Sequence, residues 1–330
     1  MKFLVIGSNS FSGSNFVNFL LEKGYEVFGI SRSEQPNDVF LPYKWQDNNL
    51  KNFKFSKLDL NKDLPEILDL IEMEAFEYVI NFSAQGMVAE SWKNPKDWYQ
   101  TNVVAQVVLH DSLRKQDSLK KYIHVSTPEA YGSMDSGWLK ENYNFFPSTP
   151  YAVSRAACDL HLLSFFKAYN FPVVFTRAAN VYGPGQQLYR IIPRAFLSAR
   201  LTRKLPLHGG GESVRSFIHI KDVADATFKV LNDGVPGETY HISTNEIISI
   251  KDLVKKTCNI TGIPFEQVVD ETEDRLGKDQ SYLLDSSKLR NELNWIDKIS
   301  LNEGLQETLE WIDKNIEVLN NLPIEYTHKK

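Results

Sequence analysis

The sequence predicts an α/β protein built on a doubly wound parallel sheet, with a smaller C-terminal substrate-binding part. Three observations lead there. Short apolar runs alternate with longer helical patterns through the first half of the chain. The runs are nearly continuous in apolar residues, as strands covered on both faces are. The gap after each leaves room for a crossover helix. Folds of this class bind ligands at the carboxyl ends of their strands.

The predicted strands cover residues 3–6, 26–30, 78–82, 122–126 and 173–177, with a further apolar-polar run over 53–58. From about Gly183 the alternation becomes irregular, and Gly183-Pro184-Gly185 and Gly209-Gly210-Gly211 mark loops. Later segments at 249–261, 287–293 and 305–319 have amphipathic helical periodicity. The chain is therefore divided into residues 1–182 and a smaller substrate-facing part over 183–330, interleaved with the first. The polar tail after Leu319 is expected to fray.

Composition narrows the function. Lys and Arg number 37 against 42 Asp and Glu, a formal net charge of −5. That argues against a nucleic-acid binder, which carries a basic face. Small anionic ligands stay open, because a few local arginines bind them whatever the global sign. Cys158 and Cys258 are the two cysteines and fit no disulfide scaffold, redox or metal spacing. The seven histidines show no zinc-ligand pattern, so no metal is expected. No apolar stretch approaches the ~20 residues of a membrane span, and Phe3-Leu4-Val5-Ile6 is too short for a signal peptide. A soluble, cytoplasmic protein without membrane or nucleic-acid partners is the expectation.

Gly7-Ser8-Asn9-Ser10-Phe11-Ser12-Gly13 follows the first strand and opens a helix towards Leu21. Glycines there allow a tight turn and let a pyrophosphate approach the helix N-terminus, where free N–H groups and the dipole favour an anion. Gly7, Ser10, Phe11 and Gly13 are thus candidate dinucleotide-binding residues, with Ser10 standing where a glycine is common. An acidic residue about 20 positions further on would hold the ribose 2′-hydroxyl of NAD. Ser31-Arg32 stands there instead. A serine and an arginine suit a 2′-phosphate, so NADP is favoured and NAD is the alternative. A solvated surface charge is the plain reading of Arg32. Asp59, followed by Leu60, is placed to accept from the adenine amino group or else to cap its own loop.

Tyr151-Ala152-Val153-Ser154-Arg155 begins a helical pattern with small or apolar residues at Ala152, Ala156, Leu160 and Leu163. Residues four apart share a helix face, so Tyr151 and Arg155 can point into one site. A cation beside a tyrosine favours phenolate and lowers its pKa from ~10 towards the range of a general base. Such spacing is common on surface helices. Ser126-Thr127-Pro128-Glu129-Ala130-Tyr131-Gly132 adds to it, projecting a hydroxyl and a carboxylate at the carboxyl end of a predicted strand.

With these motifs the chain resembles the extended short-chain dehydrogenase/reductases, and within them the NAD(P)-dependent nucleotide-sugar 4,6-dehydratases, over about residues 1 to 315. The resemblance runs through Asn81-Phe82-Ser83-Ala84-Gln85, Pro95, Thr101-Asn102-Val103, Ser126-Thr127-Pro128-Glu129 and Tyr151 to Arg155. It continues through Arg177-Ala178-Ala179-Asn180-Val181-Tyr182-Gly183-Pro184, Val214-Arg215-Ser216-Phe217, Lys221-Asp222-Val223 and Gly237-Glu238-Thr239-Tyr240-His241-Ile242. Arg275-Leu276-Gly277-Lys278-Asp279, Leu293-Asn294-Trp295 and Gly304-Leu305 complete it.

The resemblance implies a Rossmann cofactor domain and an internal redox cycle. Tyr151 would take the sugar C4 hydroxyl proton as hydride leaves C4, with Thr127 hydrogen-bonded to the same oxygen. Glu129 would remove the C5 proton acidified by the new ketone. Loss of water and hydride return to C6 would give a 4-keto-6-deoxy sugar. Arg155, with Tyr151, would hold the nicotinamide ribose; Ser83 and Ala84 would line the cofactor site and Gln85 would lie near the sugar. Asn180, Arg190, Arg215 and Arg275 would bind the nucleotide diphosphate, arginine's planar fork suiting phosphate oxygens; Arg194 is a further candidate. A homodimer is implied as well, with helices starting near Trp98 and Tyr151 packing between subunits. Val103, Val107, Leu160 and Leu163 fit that packing and fit an internal core equally. Met87 and His219 have structural readings.

Two departures from the family pattern stand out. Pro128 replaces an acid frequent in the deoxythymidine-diphosphate-glucose enzymes, so Glu129 itself or a water would protonate the departing C6 hydroxyl. Arg155 replaces the lysine of Y-x-x-x-K, keeping the charge on a bulkier fork. A uronate decarboxylase carries a comparable glutamate and is the nearest competing reading; a 4-epimerase would leave Glu129 idle. From another class, a dinucleotide-sensing protein with impaired catalysis would fit the departures at Ser10, Pro128 and Arg155.

Overall fold

The apolar runs of the first half are strands. In the computed structural model, which describes residues 1–45, 50–132, 137–142, 144–272 and 283–329, they are β1 (Lys2–Ile6), β2 (Glu26–Ser31), β3 (Phe53–Lys57), β4 (Tyr78–Asn81), β5 (Lys121–Val125) and β6 (Val173–Ala178). Two short strands follow, β7 (Asn180–Tyr182) and β8 (Phe217–His219), paired in parallel with each other. A last one, β9 (Thr239–Ile242), returns from the second half of the chain to lie beside β6, with Thr239 opposite Phe175.

The parallel sheet has the order β9-β6-β5-β4-β1-β2-β3. Successive residues of β1 explain the unbroken apolar run. Phe3 and Val5 enter one buried cluster with Phe16, Leu20, Ile80 and Tyr240, whereas Leu4 and Ile6 enter another with Ile67, Val79, Leu109 and Leu162. Period-two alternation thus feeds a core on each face. Each fully buried leucine or isoleucine contributes about 2 kcal/mol relative to exposure. Because β2 lies on one side of β1 and β4 on the other, the chain reverses direction there and a crevice opens at the carboxyl ends.

Helices close both faces: α1 (Phe11–Glu22), α2 (Leu64–Glu74), α3 (Ala105–Leu113), α4 (Pro150–Tyr169), α5 (Ile191–Arg200), α6 (Ile220–Asp233), α7 (Ile250–Thr261), α8 (Ser287–Leu293) and α9 (Leu301–Asn320). Helix α4 starts where Thr149 accepts from the Ala152 N–H at 3.1 Å, with Pro150 in its first turn, and stops at Asn170 in the left-handed region. A π-helical turn, Gln100–Val104, precedes α3; such turns are rare and gather at functional sites. The second part of the chain has its own buried cluster, including Tyr182, Phe196, Leu253, Leu305 and Trp311. No helix among the described residues is long and apolar enough to cross a membrane.

The expectation that the tail frays is not met. Leu322 and Ile324 pack against the cluster of Leu305 and Trp311. Tyr326 meets the Tyr189 ring edge-on at 5.5 Å, and His328 stacks on Trp98 at 5.1 Å with its Nε2 2.8 Å from Asp97. Ring contacts and a charged partner hold a segment whose composition alone indicates a frayed end.

Candidate active site

The glycine loop closes on itself and on its neighbours. Gly7 has φ +82°, and a Cβ there would lie 2.9 Å from the Ser83 backbone nitrogen. A Cβ on Gly13 would lie 2.2 Å from the Gly7 carbonyl. Ser10 does not break this loop. Its hydroxyl donates to the Gly7 carbonyl at 2.7 Å and accepts from the Gly13 N–H at 3.0 Å, capping α1. Phe11 begins the helix and sends its ring into the core. Asn9, which the sequence did not single out, ties the loop to the end of β2: its amide donates to the Ser33 and Glu34 carbonyls at 2.8 and 3.1 Å. The Asn9 N–H donates to the Ser31 hydroxyl at 3.0 Å.

Asp59 caps its own loop, accepting from the Asn61 N–H at 2.9 Å, and Leu60 is buried against Ile6 and Ile30. Ser83 donates to Asn81 Oδ1 through both its N–H (2.9 Å) and its hydroxyl (2.6 Å), while Ala84 is exposed. Asn102, on the π-helical turn, clamps the Gln85 backbone from both sides (2.8 and 3.1 Å) and donates to Ser154 Oγ at 2.9 Å. This second asparagine links the Gln85 loop to the helix that carries Tyr151.

Thr127, Glu129 and Tyr151 come together at the carboxyl end of β5. Thr127 caps the single helical turn Pro128–Tyr131, its hydroxyl accepting from the Glu129 N–H at 3.3 Å. The Thr127 side chain is also hydrogen-bonded to the Tyr151 hydroxyl. Here the structure corrects the sequence reading of Tyr151. Its pKa is raised, chiefly by burial and then by the Glu129 carboxylate; Arg155, the Thr127 hydrogen bond and Arg190 pull the other way without winning. Arg155 itself is 1% exposed and turns towards the sheet. Its Nη2 donates to the Val125 carbonyl and lies 3.1 Å from His124 Nε2. His124 is held neutral, its pKa pushed down to about 4 by burial and by Arg155.

Arg155 Nη1 is buried and has no hydrogen-bond partner among the described residues. A buried guanidinium nitrogen left without an acceptor, together with a glycine loop at the N-terminus of α1 whose close approaches leave no room for side chains, fits a dinucleotide whose ribose hydroxyls and pyrophosphate would supply acceptors and an anion. His110, His124 and Cys158 also place ligand-type atoms within 4.8 Å of one another in the core. The Arg155 charge beside His124 opposes a cation there.

The chain matches the family model described as GDP-mannose 4,6 dehydratase over residues 4–308. The dTDP-D-glucose 4,6-dehydratase of Homo sapiens is 32% identical over 326 residues, covering 97% of this chain and 92% of that protein. The crystal structure of dTDP-glucose 4,6-dehydratase from Bacillus anthracis in complex with NAD superposes with a TM-score of 0.85 at 31% identity, covering 96% of this chain and 98% of that one. The chain belongs to the nucleotide-sugar 4,6-dehydratases of the extended short-chain dehydrogenase/reductases. A trifunctional UDP-glucose 4,6-dehydratase/UDP-4-keto-6-deoxy-D-glucose 3,5-epimerase/UDP-4-keto-L-rhamnose-reductase of Arabidopsis thaliana is 30% identical over 322 residues, 95% of this chain and 47% of that protein. The chain spans about half the length of the three such plant relatives it matches.

At the substrate end of this family member the expected residues make mostly local contacts. Arg190 stands at the N-cap position of α5 without a side-chain cap, lies 5.4 Å over the Tyr189 ring and acts electrostatically on Tyr151. Asn180 donates to the Ser216 carbonyl at 3.3 Å, and Arg215 to the Val214 carbonyl at 2.8 Å. Arg275 lies outside the described residues. Arg194 pairs with Glu325 of the tail at 2.6 Å. His219 is buried beside Tyr182 and is structural in position.

The tail reaches the crevice. The Lys329 carbonyl accepts from Arg32 Nη1 at 3.0 Å and from Gln85 Nε2 at 2.7 Å. Two residues expected to face cofactor and sugar therefore face the end of their own chain. Of the residues expected at a subunit contact, Val103 and Val107 are half-buried, Leu163 is in the core and Leu160 on α4 is 51% exposed; their neighbours Val104 on the π-helical turn (51%) and Val108 on α3 (44%) are open to solvent.

Proposed function

We propose that the chain converts a nucleotide-diphosphate hexose or N-acetylhexosamine to its 4-keto-6-deoxy form by internal hydride transfer. The observation that carries this is the convergence of Thr127, Glu129 and Tyr151 at the carboxyl end of β5. A phenol, its hydroxyl partner and a carboxylate meet at one strand end. A nicotinamide, when bound, would supply the hydride acceptor for C4 and the hydride donor for C6. Tyr151 takes the C4 hydroxyl proton, and Thr127 holds that oxygen. Glu129 removes the C5 proton and gives a proton to the C6 hydroxyl as it leaves as water, Pro128 having no proton to give; as hydride reaches C6, a second proton, equivalent to that taken from the C4 hydroxyl, is returned to C5. Asn180, Arg190, Arg215 and Arg275 are assigned to the diphosphate.

Ser31 and Arg32, with no acid at the end of β2, support NADP over NAD, although the Bacillus anthracis structure holds NAD. The ratio of the two dissociation constants tests that preference. The exposed valines and Leu160 support a homodimer through α3 and α4, and the chain is assigned to the cytoplasm.

Incubation with GDP-, UDP-, dTDP- and CDP-linked hexoses and N-acetylhexosamines and with UDP-glucuronate, followed by mass spectrometry, tests the activity. Loss of one water without added reductant supports it. Loss of carbon dioxide moves the assignment to the decarboxylase, and no turnover despite tight dinucleotide binding to the sensor.

A further inference from the structure

Tyr151, Arg155 and Asp159 stand four residues apart along α4 and so share one face of the helix. The first two belong to the site already described. Asp159 is fully buried and makes contacts of a different kind. Its Oδ2 accepts from the Ser126 hydroxyl at 2.6 Å and from Arg177 Nη2 at 2.7 Å, and its Oδ1 lies 3.2 Å from His124 Nε2. Ser126 immediately precedes Thr127. Arg177, on β6, donates to the Tyr131 hydroxyl and lies 4.5 Å over the Tyr131 ring. Tyr131 ends the turn that bears Glu129, and its hydroxyl lies 2.8 Å from His241 Nε2. One carboxylate thus grips both ends of the Thr127–Glu129 segment, directly at Ser126 and through Arg177 at Tyr131.

We propose that Asp159 is a positioning residue that sets the register of the Thr127 and Glu129 turn against the helix carrying Tyr151. The proposal rests on the dehydratase reading for its chemistry and on the hydrogen bonds alone for its geometry. Charge-assisted bonds in a dry interior are short and directional, so they transmit placement as well as energy. The turn holds Thr127 against the Tyr151 hydroxyl and Glu129 within electrostatic reach of it. Loosening either grip lets both drift, and a shift of about 1 Å costs on the order of 100-fold in a positioned reaction. A purely structural ion pair between Asp159 and Arg177 would not need Ser126.

Ser126→Ala is the main test because it removes one grip and leaves the Asp159–Arg177 pair intact; Asp159→Asn is the stronger variant. If Asp159→Asn does not fold, Ser126→Ala carries the test alone. With whichever sugar the wild type converts, Ser126→Ala is expected to lower kcat by about 10-fold or more, leaving the sugar KM, the dinucleotide Kd and Tm near wild type. Exchange of the C5 proton with deuterated solvent is expected to slow in parallel. A ligand-free readout accompanies these: the Tyr151 phenol, followed by ring-carbon NMR and assigned with Tyr151→Phe, titrates at a different pH in Ser126→Ala. Wild-type kcat, C5 exchange and phenol titration in a folded Ser126→Ala overturn the proposal. If the wild type converts no nucleotide sugar, the dehydratase reading fails, and the phenol titration alone decides whether Asp159 positions the turn.

Discussion

The Gln85 side-chain amide donates a 2.7 Å hydrogen bond to the carbonyl of Lys329, near the opposite end of the chain. Gln85 is 1% exposed, and the same carbonyl accepts from Arg32 across the crevice. The last residues therefore occupy hydrogen-bonding groups expected to serve cofactor and sugar. A chain ending at Leu322 keeps the packing of that residue on the Trp311 cluster and loses these contacts. It is expected to bind the dinucleotide roughly 10-fold more tightly, as follows when an internal occupant holds most of the population. Calorimetric titration measures this; an unchanged or weaker affinity contradicts it.

The Glu129 carboxylate raises the pKa of Tyr151, since a nearby negative charge disfavours phenolate. Glu129→Gln removes that charge, so the phenol is expected to titrate at lower pH. The pH limb of sugar C4 oxidation, followed by reduced-cofactor absorbance, should move in the acid direction. Exchange of the C5 proton should fall by about 100-fold or more, the usual contribution of a positioned base. A limb that stays in place or moves to higher pH contradicts the proximity of the two groups.

Gly13→Ala places a Cβ where it would meet the Gly7 carbonyl at 2.2 Å. Backbone on one side and the Ser10 cap on the other leave little room to yield. A loss of about 2 kcal/mol in urea unfolding is expected, with weakened dinucleotide binding. Wild-type stability and affinity in this variant contradict the close-packed cradle.

Three buried histidines set an acid limit on stability. Burial holds His124 at about 4, His219 at about 4 and His241 at about 3, with the charges of Arg155 and Arg177 adding to the shifts of His124 and His241. The unfolded chain takes up these protons near pH 6.5 and the native state does not. Stability is therefore expected to fall as pH drops from about 6.5 to about 4, by about 1.4 kcal/mol per pH unit for each histidine. Asp159 is held low by Arg177, His124 and Arg155 against the upward effect of burial. Its contribution is lost only in more acid solution. Urea midpoints that do not change between pH 7 and 5 contradict the buried neutral state.

The strands were legible because consecutive residues such as Phe3 and Leu4 face different cores, which writes an unbroken apolar run. Thr127 and Glu129 were legible as candidates because residue type and position at a strand end coincide, and Tyr151 because it opens a helical pattern four residues before Arg155. The polar residues that hold the site were not. Asn102 stood in the Thr101-Asn102-Val103 motif, but its partners lie 17 and 52 positions away and that of Asp159 33 away, so no local pattern shows what either one holds. The spacing of Tyr151 and Arg155 predicted a shared face and missed the desolvation that decides the pKa. The tail misled for a similar reason: His328 finds its partner 231 residues upstream.

In the proposed reaction, hydride leaves and returns within one sugar. Nucleotide hexoses deuterated at C4, mixed with unlabelled sugar and offered without added reductant, test it most directly. Deuterium is expected at C6 of the 4-keto-6-deoxy product, with no crossover into the unlabelled pool. Deuterium recovered at C4, or a product that keeps its C6 hydroxyl, would contradict it.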